Sequence, residues 1–247
     1  MTIDYDHAGF DRIGIVDHTI PTFQSTGSEL TTAPKLIVCD ATLTPVGSLD
    51  TYVSLSHTAR FRSRHSWSII VPRDTTLAAY LITGNILLYN DPDAGVLRPF
   101  LIRQIVVHGE DETIELSGTD YASALFEKRF VLAGTLPGTG EYSKTGLADD
   151  VFRSLVSKNV TAATRELLRD SLIHLETQIE PVRGLSIIVP IKYDVSLLDA
   201  IESACLAGNI GWDAVVIEDE TTTQGWSIEL RCLTGRDLSE TNTGGTA

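Results

Sequence analysis

Basic residues are scarce in this chain. Its 247 residues include 19 Lys and Arg against 33 Asp and Glu, which gives a formal net charge of −14. Proteins that grip nucleic acid through its phosphates need a basic surface, so the composition argues against a groove-binding DNA or RNA protein. The one basic cluster, Arg60–His65, is interpreted as a strand edge or a subunit contact.

Cysteine is also rare, with Cys39, Cys205 and Cys232 far apart in the chain. An odd number at this spacing fits neither a disulfide framework nor a zinc site. The apolar neighbours predict buried free thiols and folding in a reducing cytoplasm. The six histidines show no pair at metal-binding spacing, and no nucleophile-elbow motif is present. We therefore assign no catalytic, cofactor-binding or metal-binding residue, and we expect no cofactor.

Long apolar runs are missing as well. No stretch approaches the roughly 20 apolar residues that span a bilayer, and the N-terminus lacks a basic segment followed by an apolar one. We expect no membrane span and no secretory signal. A hydrophobic content of 43% with 21% charged residues is typical of a folded protein.

The pattern that is present begins with strands. Residues 1–34 predict an N-terminal arm or lead-in strand, and residues 35–118 predict a small β-barrel-like domain. The acidic turn Gly109–Glu112 stands at hairpin spacing between two of the strands. The predicted strands and the turn that ends the first are Leu36–Leu43 with the turn Pro45-Val46-Gly47, Trp67–Pro72, Asn85–Tyr89, Phe100–His108 and Thr113–Ser117.

The pattern changes to helical after Gly118, so residues 119–237 predict an α+β domain and residues 238–247 a flexible tail. Ser196 has the spacing of a capping box before a helix that ends at Gly208 and Gly211. The whole chain is thus predicted to be mainly β with α+β character. The predicted elements are helices over 120–130, 147–156 and 197–205, a helix-compatible stretch Thr161–Leu172, and strands Leu185–Val189, Trp212–Ile217 and Gln224–Cys232.

Gly138–Thr145 leads into a predicted helix and differs at one position from the phosphate-binding P-loop, because Ser143 stands where the second glycine belongs. A serine Cβ would crowd the approach of a phosphate to the backbone amides. The favoured interpretation is a loop followed by a helix capped by Thr145. Nucleotide binding through Lys144 and Thr145 stays a second alternative function.

Two further patterns allow weaker interpretations. Asp91-x-Asp93-x-Gly95 resembles part of a calcium loop but lacks the other ligands, so a turn with surface carboxylates is favoured. The charge runs Glu110–Glu112 and Glu218–Glu220 predict solvated turns. Trp67, Trp212 and Trp226 lie in strand patterns and predict core packing. If they were exposed, they would suit the first alternative function, a host-surface glycan-binding module.

The stretch Ile114–Arg129 joins a strand that ends at Gly118 to a short helix that carries Leu125 and Arg129. It resembles the hub proteins of long-tailed bacteriophages, which are siphophage tail-tip proteins whose N-terminal part is similar to the central hub of contractile-tail baseplates. The resemblance covers residues 35–237. The other matching features, in order, are Leu36–Val46 with Asp40, Ser66–Pro72, Gly84–Leu87, Ala148–Lys158, Tyr193 and Gly211-Trp212.

The resemblance implies a tail-hub architecture and a structural, non-enzymatic role. Three copies would form a ring that joins the distal tail to tip or fibre proteins and surrounds the DNA exit channel. Its partners would be the distal tail protein, the tape-measure protein and the tip or fibre proteins, and DNA would pass through the lumen without specific binding. The protein would be made in the host cytoplasm and reside at the tail tip of the virion.

Overall fold

Strands dominate the architecture. The computed structural model describes residues 18–24, 36–91, 94–131, 141–161, 170–177, 183–192 and 195–234. The strands and α-helices in these ranges are β1 (His18–Gln24), β2 (Leu36–Cys39), β3 (Pro45–Leu49), β4 (Ser54–Ala59), β5 (Ser66–Pro72), β6 (Ile86–Asp91), β7 (Val96–His108), β8 (Thr113–Asp120), α1 (Tyr121–Glu127), β9 (Glu141–Leu147), α2 (Ala148–Val156), β10 (Ile173–Leu175), β11 (Ser186–Lys192), α3 (Leu197–Gly208), β12 (Ile210–Glu218) and β13 (Trp226–Thr234). A short 3-10 helix (Ala78–Tyr80) and a π-helical turn (Ser157–Thr161) are also present. The predicted mainly β fold with α+β character is confirmed.

The first eight strands form one antiparallel, curled sheet in the order β3-β2-β6-β7-β8-β5-β4-β1. Alternation of side chains along each strand turns one face inward; Trp67, Ile69 and Val71 of β5 are examples. Leu49 from β3 and Leu55 from β4, near opposite ends of the order, belong to the same apolar cluster. The sheet therefore curls around a core, although no strand pairing closes it into a barrel within the described ranges.

We call this cluster the inner core. It contains Leu36, Val38, Leu49, Tyr52, Leu55, Trp67, Ile69, Val71, Leu81, Leu87, Tyr89, Phe100, Ile102, Ile114 and Leu116.

The second half of the chain adds strands to the same sheet and a helical layer beside it. The β12–β13 hairpin pairs over nine residues, and β10 lies parallel to β13. The hairpin joins the curled sheet through a single residue pair, Val216 of β12 with Leu97 of β7. A separate two-stranded sheet forms from β9 and β11. The helices α1, α2 and α3 and these strands enclose a second apolar cluster, the outer core, which includes Phe126, Phe152, Ile201 and Trp212.

Strands β2 and β6 lie between the two cores. Leu36 and Val38 of β2 face the inner core, whereas Cys39 faces the outer core. In β6, Leu87 and Tyr89 face the inner core, whereas Ile86 and Leu88 face the outer core. A strand buried on both faces reads as a continuous apolar run, which is the pattern of β6. The predicted division into domains at residue 118 stays a prediction.

The helix ends follow their sequence signals. Asp120 caps α1 by accepting a hydrogen bond from the Ser123 backbone N–H at 2.7 Å. The predicted cap at Ser196 is confirmed, since its Oγ accepts from the Asp199 N–H at 3.0 Å. Helix α3 ends at Gly208, and left-handed Asn209 (φ 53°) follows it. No helix of the described ranges is long and apolar enough to cross a membrane.

The predicted turn Pro45-Val46-Gly47 is wrong, because these residues belong to β3. The chain reverses earlier, where the Asp40 carboxylate accepts from the Thr42 N–H at 2.8 Å and Leu43 has a φ of 67°. An aspartate that bonds the backbone two residues later forms such a turn without glycine or proline. In the helix-compatible stretch Thr161–Leu172, residues 162–169 lie outside the described ranges, as do most of the arm 1–34 and the whole tail 238–247.

Candidate functional site

A buried ionic cluster stands where the curled sheet meets the β12–β13 hairpin. The Arg98 guanidinium on β7 donates to Asp91 on β6 at 2.8 Å and to both carboxylate oxygens of Asp213 on β12 at 2.6 Å. The Arg98 and Asp91 side chains are 4% and 3% exposed, and that of Asp213 is 14% exposed. Because backbone pairing between β7 and β12 is limited to one residue pair, this cluster is the strongest polar connection described between the two strands.

The sequence interpretation of Asp91 as a surface carboxylate in a turn is wrong, because strand β6 continues through it and Arg98 pairs with it. Asp93 lies outside the described residues. A signal for the cluster was present in the sequence, since Arg98 shares a face with Phe100 and Ile102 in an apolar strand. A charge on such a face needs a buried partner.

A buried histidine lies beside this cluster. The His57 ring centre is 4.9 Å from Phe100, 5.6 Å from Tyr89 and 5.6 Å from His65. Neither ring nitrogen of His57 has a hydrogen-bond partner among the described residues. His65 is anchored by the Arg60 carbonyl at 3.0 Å from its Nε2. Burial, and secondarily the nearby His65 and Arg98, hold the pKa of His57 well below its usual value.

This histidine should make the fold sensitive to acid. A group whose pKa is lower in the folded state binds its proton more readily in the unfolded state. The contribution of neutral His57 to the free energy of unfolding is therefore complete above about pH 6.5 and is lost as the pH falls below that value. We expect His57→Leu to flatten the pH dependence of the unfolding free energy by up to about 1.4 kcal/mol per pH unit. The titratable and charged groups near His57 are His65, Arg98 and, through Arg98, Asp91 and Asp213.

Urea denaturation at pH 7.5, 6.5 and 5.5 measures this effect. His174→Leu serves as the matched control, because the His174 side chain is 48% exposed and lies 3.8 Å from Asp219. We expect the control to keep the slope of the unmodified protein. The same slope in His57→Leu would contradict the assignment.

The basic loop Arg60–His65 is used mainly inside the chain. Arg62 donates to the Asn209 side chain, the Ser63 hydroxyl donates to Glu202 at 2.8 Å, and the Phe61 carbonyl accepts from the Trp212 N–H at 3.1 Å. The loop thus connects the curled sheet to α3 and β12. Arg64 is the member that stays half exposed. The predicted strand edge is therefore wrong for this segment, and a subunit contact stays a prediction that rests on Arg64.

The segment that resembles a P-loop is a strand where it is described. Lys144 and Thr145 lie in β9, paired with Val189 and Ile188 of β11. Thr145 does not cap α2, since the N-cap residue is Leu147 and has no side-chain cap bond. An extended ladder strand does not curl its amides around a phosphate. Gly138–Gly140 lie outside the described residues, and the described geometry contradicts nucleotide binding through Lys144 and Thr145.

The tryptophans are mostly core residues. Trp67 and Trp212 are buried, as predicted. Trp226 is half-buried, packs against the outer core, and lines an open cleft of about 480 Å³ together with Glu218 and Arg231. Of the three, Trp226 alone has the exposure that a sugar-stacking surface needs. The glycan-binding alternative therefore stays a prediction that depends on this cleft.

The remaining candidate groups are placed as follows. Cys39, Cys205 and Cys232 are buried free thiols, as predicted, and burial raises the pKa of Cys39 and Cys232 to about 12. Glu110–Glu112 is an exposed turn, as predicted. At the other acidic turn, the Asp219 carboxylate accepts from the Thr221 N–H and hydroxyl, which lowers its pKa. The described part of the chain contains no group of three His, Cys, Asp or Glu side chains that could hold a metal ion.

Together these features define a class of protein, a mixed β scaffold whose most unusual polar groups are buried in its interior. The chain belongs to the family of Siphovirus ReqiPepy6 Gp37-like proteins, whose family model matches residues 35–246. Membership in a siphovirus family agrees with the predicted structural role in a phage tail. No curated protein matches the chain.

Three solved structures are similar to this chain. A prophage tail protein, gp18, from Listeria monocytogenes EGD-e is 9% identical, with a TM-score of 0.47 over 80% of this chain and 50% of that one. A tail protein from Neisseria meningitidis MC58 is 13% identical, with a TM-score of 0.47 over 84% of this chain and 52% of that one. The E. coli c3393 protein, a type VI secretion component described as similar to the T4 tail proteins gp27 and gp5, is 10% identical, with a TM-score of 0.40 over 85% and 48%. This chain thus spans about half the length of the proteins it matches.

Proposed function

We propose that this protein is a tail-hub component of a long-tailed phage, in which three copies form a ring at the tail tip. The ring joins the distal tail protein and the tape-measure protein to tip or fibre proteins. DNA leaves through its lumen without specific binding. The protein acts without catalysis, is made in the host cytoplasm and resides in the virion.

One observation carries the proposal, which is the match to a siphovirus family over nearly the whole chain. The placement of polar groups supports a structural role. The Asp91–Arg98–Asp213 cluster lies between the curled sheet and the hairpin, and His57 is buried among Tyr89, Phe100 and His65, so all of these groups are shielded from a substrate. A net charge of −14 also suits a conduit that must release DNA.

Single-particle imaging tests the ring directly. The purified protein and the phage particles that carry it would be imaged and scored for symmetry. We expect a threefold ring with an axial opening at the tail tip. A globular monomer that is also absent from assembled tails would overturn the proposal. Glycan binding at the cleft beside Trp226 would then be the favoured function.

A further inference from the structure

The β7–β8 hairpin carries opposite charges at its two ends. Its turn holds Glu110, Asp111 and Glu112, all of them exposed. The Glu112 carbonyl accepts from the Arg73 N–H at 2.8 Å, which brings the exposed Arg73 and Asp74, whose opposite charges offset each other, near the same end. We call Glu110–Glu112 the acidic tip.

The other end of the hairpin is positive. Arg103 of β7 and Arg64 of the neighbouring loop both pair with Glu127, at 2.5 and 3.3 Å, and their side chains are 36% and 50% exposed. Lys128 follows on the surface. Two arginines share the Glu127 carboxylate and Lys128 adds a third cation, so the patch keeps a net charge of +2 in a strongly acidic protein. We call Arg64, Arg103 and Lys128 the basic base.

The tip and the base cannot neutralise each other within one copy. Glu110 lies seven positions after Arg103, which at a strand rise of about 3.3 Å per residue is roughly 23 Å. The Debye length is about 8 Å at physiological ionic strength, so the two charges do not interact along the hairpin. Each end is available to the opposite charge of another molecule.

We propose that the acidic tip of one copy docks on the basic base of the next. This inference rests on the proposed ring and names the contact that closes it. Tip-to-base contacts repeated around one axis generate a ring, whereas a two-fold contact would pair tip and base reciprocally and stop at a dimer, which native mass spectrometry distinguishes from the ring. Val107, 56% exposed on the strand between the two ends, supplies apolar area beside the charges.

A second copy fits the basic base better than nucleic acid does. Glu127 lies between the two arginines and would face the phosphates of any bound strand. Binding to a phosphate backbone improves with every uncompensated cation, and this patch offers a net charge of only +2. Three carboxylates on a narrow turn match that charge closely.

Charge reversal of the full-length protein tests the contact. The tip variant is Glu110→Lys with Asp111→Lys; Glu112 is kept because its φ is +49°. The base variant is Arg64→Glu, Arg103→Glu, Lys128→Glu and Glu127→Arg, which keeps oppositely charged pairs within the patch while its net charge changes from +2 to −2. The matched control is Glu218→Lys with Glu220→Lys, which makes the same change of charge at the other acidic turn.

Assembly would be followed by light scattering and native mass spectrometry at low salt, with circular dichroism to verify folding. We expect the unmodified protein and the control to form the ring, and the tip and base variants each to need at least about tenfold higher concentration. Combining both sets of substitutions should restore assembly. Raising the salt to 0.5 M should weaken the unmodified ring, because exposed charges are screened.

The outcomes separate the two proposals. If the ring forms equally well with the tip variant, this contact is wrong and the hub function stands. If the unmodified protein is monomeric at low salt and high concentration and no ring is visible on tails, both are overturned. Binding of a short DNA duplex that the base variant loses would make nucleic acid the occupant of the base and would also overturn the contact.

Discussion

Replacing Arg98 by methionine is expected to lower the free energy of unfolding by about 3–5 kcal/mol, the usual cost of breaking a buried ion pair on one side. The substitution leaves the Asp91 and Asp213 carboxylates in the interior without their cation. It also removes the main polar connection between β7 and β12, whose backbones pair at one position. Urea denaturation monitored by circular dichroism measures the loss.

Arg231→Met is the matched control for this variant. Arg231 pairs with Glu229 at 2.8 Å on β13, but its side chain is 35% exposed. Ion pairs with such access to solvent contribute roughly 0–1 kcal/mol. Equal stability of the two variants would show that the buried cluster is not what holds the hairpin to the sheet. Adding Asp91→Asn and Asp213→Asn to Arg98→Met should recover part of the loss, because the uncompensated charges are then removed.

Gly118→Ala is expected to cost about 3 kcal/mol, at the upper end for overpacking a well-ordered site. A Cβ at this position would lie 2.0 Å from the Leu101 carbonyl oxygen and 3.1 Å from the Trp67 indole nitrogen. The first of these atoms is backbone in a neighbouring strand, so the clash is relieved only if β7 and β8 move apart. The Trp67 indole also donates to the Thr119 carbonyl at 3.3 Å, so the shift would disturb the inner core.

Gly109→Ala provides the comparison on the same hairpin. A Cβ there meets nothing within 4 Å. We expect its free energy of unfolding to stay within about 0.5 kcal/mol of the unmodified protein, as is usual for surface sites. The two variants would be compared by urea denaturation and by near-ultraviolet circular dichroism, which reports on Trp67. A fully stable Gly118→Ala protein would contradict the packing described for this strand pair.

Elements with a clear hydrophobic period could be predicted from the sequence. Trp67–Pro72 is rich in β-branched residues and ends at a proline, and Ser196 gives a helix start by its spacing, so β5 and α3 appear near their predicted positions. Strand β9 could not be predicted in this way, because Glu141–Leu147 has no apolar alternation. Its pairing is decided by β11, whose run of apolar residues needs an antiparallel partner far along the chain.

The buried ionic cluster could not be predicted from the sequence for a related reason. Asp91, Arg98 and Asp213 come from three strands, and 115 positions separate Arg98 from Asp213. The sequence shows that Arg98 lies on an inward face but does not identify the carboxylates that meet it. The same holds for His57. The alternation Leu55, His57, Ala59 places it on the buried face of β4, but its aromatic neighbours are known only from the folded chain.

Strands β2 and β6, which contribute side chains to both cores, limit where recombination within the gene can leave a stable protein. Leu36, Val38, Leu87 and Tyr89 are matched to one apolar surface, and Cys39, Ile86 and Leu88 to another that is supplied mostly by residues beyond 119. A recombinant that took its first 118 residues from one phage and the remainder from a distant one would pair two surfaces that had never adapted to each other. We expect mosaic genomes to exchange residues 36–232 as a single block, with crossovers tolerated at its borders.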